Sequence, residues 1–263
     1  MRLDDDLAVL VVSPHLDDAM LSCAALFQRR RPADVLNVFA GSPRPAVSAE
    51  WDRLCGFADS DEAVAARRAE ERAAFAGLAV DVGYLPLLDS QYTGEAPRTA
   101  PESDVLRKAI ADWVAGRASP VVALPAGCGR PRPSPLEKAL RTIGLRAEPQ
   151  GSAERPAPHP DHIFVRDVGL SLLAEERGVV GLLYEELPYA GGAGDAALAR
   201  HSAGKRWVPV ELEFAVDPTE KASRLAAYAS QLPWLTGGDP RAALRATERY
   251  WRLEPRRGWR EPT

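Results

Sequence analysis

The chain has 263 residues, 46% hydrophobic and 27% charged, the proportions of a soluble globular protein long enough to bury a full core. A formal net charge of -4, with arginines scattered among acids, excludes the basic field that a nucleic-acid partner needs. No run approaches the roughly 18 apolar residues of a membrane span, the acidic start Met1-Arg2-Leu3-Asp4-Asp5-Asp6 is unlike a basic signal peptide, and the three cysteines lack Cys-x-x-Cys spacing, so a reduced cytoplasmic protein is expected.

Leu7 to Ser13 is a nearly continuous Val/Leu run stopped by Pro14, the pattern of a strand buried on both faces of a parallel sheet. Asp17 to Arg30 has helical spacing, and Val35 to Ala40 is a second strand ending at Gly41-Ser42-Pro43. Asp59 to Glu62 places acids at the start of an Ala-rich helix that stops at Gly77. Val80 to Leu88 reads as a third strand, Asp104 to Ala115 as a helix and Pro120 to Leu124 as a fourth strand. Residues 126–158 are proline-rich, with a helix-like piece at 136–145, and read as a flexible insertion or flap. His162 to Arg177 resumes as a helix, followed by strands over Val179 to Tyr184 and Val208 to Phe214 and a helix over Pro218 to Gln231. The alternation predicts a single α/β domain over 1–263, Rossmann-like, with a mostly parallel sheet flanked by helices and reactive loops at the carboxyl ends of the strands. Pro14-His15-Leu16-Asp17-Asp18 after the first strand, where a dinucleotide fold carries Gly-x-Gly-x-x-Gly, excludes that cofactor class.

Three of the four histidines fall in two short clusters that also carry aspartates. The first, His15-Leu16-Asp17-Asp18, leaves the first strand; the second, His159-Pro160-Asp161-His162, opens a helix. Together they offer an imidazole, a carboxylate and a second imidazole, a set that suits one catalytic zinc per chain with a position left for water. Either cluster alone also reads as a helix cap, with Asp17, Asp18 or Asp161 accepting backbone N–H bonds. His201 has no partner motif and reads as a solvated loop residue.

These two clusters resemble the motifs of the LmbE-like, or PIG-L, family of zinc-dependent de-N-acetylases, His-Pro-Asp-Asp and His-x-x-His. Arg67-Arg68-Ala69-Glu70 is similar to the family's Arg-x-x-Glu helix, Asp89 falls where the family carries an aspartate after the third strand, and Lys221 to Gln231 is similar to its late helix ending in Ser-Gln. Leu16 replaces the usual proline and Ala19 a common glutamate, which points to a sub-branch. The resemblance implies His15, Asp18 and His162 as zinc ligands and Asp17 as general base. It also implies a protonated His159, supported by Asp161, at the oxyanion, with Arg67 and Asp89 on the substrate.

The expected reaction is removal of an N-acetyl or other N-acyl group from an amino sugar or glycosylated metabolite. An amidase acting on a non-sugar amide and a non-catalytic zinc-containing binding module are the alternatives. Homo-oligomerisation is compatible with the sequence and not specified by it. Trp51 to Phe57 and the aromatic residues Trp234, Tyr250, Trp251 and Trp259 are candidates for a substrate wall, the latter also for core packing.

Overall fold

The computed structural model describes residues 7–29, 32–94, 96–127, 159–189, 199, 203–204, 206–237 and 239–256. Of the segment 126–158, residues 128–158 lie outside these, as do His201 and Trp259. Strands β1 (Val9–Ser13), β2 (Ala33–Asn37), β3 (Val80–Tyr84), β4 (Val121–Pro125), β5 (Val180–Tyr184), β6 (Trp207–Ala215) and β7 (Thr247–Pro255) form one seven-stranded sheet. Its order is β3-β2-β1-β4-β5-β7-β6. The first five are parallel and the last two pair antiparallel at one edge.

The helices are α1 (Asp18–Gln28), α2 (Glu50–Leu54), α3 (Ser60–Ala74), α4 (Ser90–Thr93), α5 (Ala100–Val114), α6 (Pro160–Glu175), α7 (Pro218–Leu225) and α8 (Leu232–Leu235). The apolar runs become the central strands because helices cover both faces: every residue of β1 and β4 is buried. One core layer packs α1 residues such as Met20 and Leu26 under the sheet; the other sets Leu106 and Ile110 of α5 and Val165 of α6 against its opposite face. Among the described residues, no helix is long and apolar enough to cross a membrane.

Several boundaries differ from the sequence reading. Helix α5 starts at Ala100 rather than Asp104 because Thr99 and Glu102 form a reciprocal capping box. Helix α7 ends at Leu225, and Gln231 begins the separate α8. Strand β7 was not anticipated. Its inward positions include Glu248 beside Tyr250, Trp251 and Leu253, so the alternation that marks a half-buried strand is interrupted by a charge.

Candidate active site

Strand order reverses between β1 and β4, since β2 and β3 extend the sheet on one side of β1 while β4 and β5 extend it on the other. Such a switch point leaves a crevice at the carboxyl ends of the strands. The two histidine clusters open there: the first follows β1, and the second starts α6 after β4.

The turn after β1 is built so that its aspartates are not spent on capping. Ser13 Oγ accepts from the Ala19 amide at 3.1 Å and donates to the His15 carbonyl at 2.7 Å. Asp17, the N-cap residue of α1, makes no side-chain cap bond. Asp18 turns back so that its Oδ2 accepts from the His15 amide at 2.9 Å. At the second cluster the cap is His159, whose Nδ1 accepts from the Asp161 amide at 3.3 Å.

His15 Nδ1, His162 Nε2 and Asp18 Oδ2 form a near-equilateral triangle with sides of 3.3, 3.2 and 3.3 Å. A tetrahedral zinc with bonds of about 2.0–2.2 Å requires ligand separations of about 3.3–3.6 Å, so the triangle matches one face of a zinc tetrahedron. The outer nitrogen of each imidazole meets a carboxylate: His15 Nε2 lies 3.1 Å from Asp161 Oδ2, and His162 Nδ1 lies 2.9 Å from Glu186 Oε1. With a ring hydrogen on each outer nitrogen, the inner ones present lone pairs toward the triangle's centre, the orientation carboxylates impose on metal-ligating histidines. Other combinations of His15, His159, His162, Asp89 and Asp161 also hold ligand atoms within 4.8 Å, but the triangle is tighter.

The convergence shifts the titration of all three groups. Burial alone lowers the pKa of His162, but Asp18 and Glu186 raise it to about 9. His15 is likewise held well above the usual histidine range, burial being outweighed by Asp89, Asp161 and Asp18. Asp18 is driven well below the ordinary carboxylate range, its burial overcome by the two imidazoles.

Beside the triangle, Asp17 Oδ2 lies 3.8 Å from Arg67 Nη2, and Arg67 Nη1 lies 4.0 Å from Asp89 Oδ2. Arg67 is on the buried face of α3 with Ala63, Glu71 and Ala74. It therefore faces the cleft rather than pairing along its own helix. Glu71 instead accepts from Asn37 and Tyr228, while Glu70 takes the amide and hydroxyl of Ser230, joining the Arg-x-x-Glu and Ser-Gln segments. Burial and the neighbouring Asp18 push Asp17 up to about 6 against the pull of Arg67. Asp89 also caps α4, accepting from Gln91 N at 3.0 Å. Gly41 lets this loop approach, because a Cβ there would sit 2.3 Å from the Pro86 carbonyl oxygen.

Asp161 lies nearer to His15 than to His159: its Oδ2 is 3.9 Å from His159 Nδ1, 3.1 Å from His15 Nε2 and 3.0 Å from the Ser90 amide. Burial, with His15 and His162 nearby, lowers the His159 pKa to about 4, so its imidazole is neutral near pH 7. Because Nδ1 accepts the Asp161 amide, the ring hydrogen sits on Nε2.

The sequence reading missed Glu186, beyond β5, and Arg98, which reaches Asp161 from the segment before α5. Neither lies in a motif; an acidic pair directly after a buried strand, Glu185-Glu186, was the available signal for the first. The cleft has a volume of about 950 Å³, lined by His15, Asp17, Asp18, His159 and Asp161 with Arg67, Asp89, Trp51, Tyr189 and Gln231, while His162 lies buried behind it. Trp51 is held by its indole N–H, which donates to Gln231 Oε1 at 2.8 Å. Tyr250 and Trp251 are buried in the core and Trp234 is 51% exposed, so none of these three lines the cleft.

Residues 10–173 match the sequence model of the PIG-L family, described as GlcNAc-PI de-N-acetylase, a span that includes both histidine clusters. A search of curated proteins gives no match. Among solved structures, a deacetylase of the teicoplanin biosynthesis pathway is 23% identical, covers 96% of this chain and 100% of its own, and superposes with a TM-score of 0.66. The A40926 pseudoaglycone deacetylase Dbv21 is also 23% identical, with 95% and 98% coverage and a TM-score of 0.64. A zinc-inhibited form of the teicoplanin deacetylase Orf2 is 22% identical, with 96% and 100% coverage and a TM-score of 0.64. At these identities the likeness is one of fold.

Proposed function

The chain belongs to the PIG-L family of GlcNAc-PI de-N-acetylases, and on that premise we propose that it is a zinc-dependent hydrolase removing the N-acetyl group of an amino sugar or glycosylated metabolite. The observation that carries this reading is the triangle of His15 Nδ1, Asp18 Oδ2 and His162 Nε2, buried beside a carboxylate that caps nothing. These three residues would hold one zinc per chain. Bound there, the ion supplies a Lewis acid that polarises a carbonyl and lowers the pKa of a water toward about 7.

The protein's own groups then divide the work. Asp17, titrating near 6, is mostly ionised at neutral pH and takes the proton of the attacking water on its carboxylate. Arg67, 3.8 Å away, favours that ionised form. As the amide C–N bond breaks, Asp17 returns the proton to the leaving amine. His159, neutral with its hydrogen on Nε2, donates a hydrogen bond to the carbonyl oxygen as negative charge develops there. Arg67 and Asp89 provide a donor fork and an acceptor for sugar hydroxyls, and Trp51 an aromatic face in the same cleft. The family model that spans both histidine clusters supports the reaction class.

The test is acetate release from N-acetylglucosaminides by zinc-reconstituted protein. Asp17→Asn is expected to lower kcat by about 10²–10⁴-fold while retaining one equivalent of zinc. No release from any N-acyl amino sugar, or a variant as fast as the parent, overturns the proposal.

A further inference from the structure

Arg98 sits one residue before the capping box of α5, outside every motif named above, yet it holds four parts of the molecule at once. Its Nη1 donates to the Leu88 carbonyl at 2.8 Å and to Glu102 Oε1 at 2.9 Å, and its Nη2 pairs with Asp161 Oδ1. Its guanidinium plane lies over the Phe39 ring, 4.1 Å from the centroid. It thus ties the loop after β2, the turn before α4, the first turn of α5 and the first turn of α6. Its side chain is only 12% exposed, so little of this is screened by water.

The consequence lies in what the other oxygen of Asp161 does. Oδ2 accepts from the Ser90 amide at 3.0 Å and faces His15 Nε2 at 3.1 Å. A carboxylate held by one oxygen can rotate; held at both oxygens from three directions, it cannot. With Asp161 fixed as an acceptor, His15 keeps a hydrogen on Nε2, so the nitrogen left to bare a lone pair toward Asp18 and His162 when a cation binds is Nδ1. Removing the guanidinium takes away the partner that holds Oδ1 of a fully buried carboxylate, and rotation of Asp161 then removes the acceptor at His15 Nε2.

We propose that Arg98 is a positioning residue for the metal ligand His15, acting through Asp161 to set its tautomer and thereby the zinc affinity of the site. The proposal rests on the ligand set given above, but its test needs no substrate and stands apart from the deacetylase reading. Zinc affinity is measured by competition with a chromogenic chelator on the full-length protein. Arg98→Met is expected to weaken zinc binding by about 10–100-fold, the effect typical of losing a residue behind a ligand. Arg98→Lys, which restores a charge on Asp161 without the fork, should recover part of the loss.

Two comparisons separate positioning from mere bracing. Arg107 ties the same two helices farther along, donating to Ser171 and pairing with Glu175, so Arg107→Met should leave zinc affinity unchanged. Asp161→Asn should weaken binding as much as Arg98→Met, and the double variant no more than either alone, because both act through one carboxylate. The nitrogen chemical shifts of His15 should report a changed tautomer in both single variants. Zinc affinity of Arg98→Met within about twofold of the parent, equal losses in Arg98→Met and Arg107→Met, or additive losses in the double variant would overturn the proposal. If Arg98→Met does not fold, the Lys and Asn variants decide the question alone.

Discussion

Helix α1 has two buried polar clusters, one at its amino end and one at its midpoint, and the two are built on opposite rules. At the midpoint the helix breaks at Cys23, whose φ of -129° and ψ of 20° leave the helical region. The groups freed by the break are answered in kind: Glu248 accepts from the amides of Ala24 and Ala25 at 3.2 and 2.9 Å, and Lys221 Nζ donates to the Leu21 carbonyl at 2.6 Å. An unbroken helix would have joined Leu21 to Ala25 directly. Lys221 and Tyr250 complete Glu248, each at 2.8 Å. Donors alternate with acceptors, and the cluster closes on itself.

At the amino end, Asp18 and two imidazoles bring three ligand atoms to within 3.2–3.3 Å of one another, with both outer ring nitrogens facing carboxylates. Neutral rings that give their hydrogens to those carboxylates leave three acceptors facing one another, and only added positive charge, protons on the rings or a bound cation, satisfies them. A buried polar cluster is structural when its donors and acceptors match, and a cation site when like meets like.

The sharpest way to break this contrast is to remove a corner of the triangle. Asp18→Asn should abolish stoichiometric zinc binding and reduce hydrolysis by at least about 10³-fold, the several kcal/mol expected of a Lewis acid. Calorimetry of the metal-free variant should also register the loss of the buried pairs that Asp18 makes with His162 and His15. Lys221→Met should spare the metal site. Stranding the buried Glu248 carboxylate should cost about 3–5 kcal/mol in chemical denaturation while leaving zinc affinity of the folded fraction unchanged.

The smallest effect is one of pH. His162 must lose a proton held at about 9 before its Nε2 can bind an ion. His15, also held high, must lose one too, so zinc affinity rises with pH by up to about tenfold per unit for each proton displaced, as a competition titration between about pH 6 and about pH 8 will register. Stability of the metal-free fold moves the other way: with its pKa raised above 6.5, His162 contributes stability fully present below that value and lost as pH climbs through about 9.

Much of this was legible in the chain. The apolar run ending at Pro14 and the strand-helix alternation specified a parallel sheet, and His15, Asp18 and His162 stood out because so few histidines fell in such tight clusters. The partners of those residues were not legible. Glu186, behind His162, and Arg98, behind Asp161, arrive from after β5 and before α5, and nothing periodic marks them. The pairing of His159 with Asp161 looked natural from a spacing of two, yet the helix takes the Asp161 amide to His159 and sends the carboxylate across the cleft to His15. Strand β7 was hidden because Glu248, an inward position, is a charge whose partner Lys221 lies on α7.

Local pattern thus determined the first five strands, the helices that flank them and the side chains at the carboxyl edge of the sheet, since these follow from hydrophobic periodicity and from groups only a few residues apart. Tertiary structure alone decided which carboxylate serves which imidazole, which tautomer each ring adopts, and why one buried cluster calls for a cation and the other does not. Those depend on the direction of lone pairs contributed from separate strands and helices, and direction is a property the folded chain has and the sequence does not.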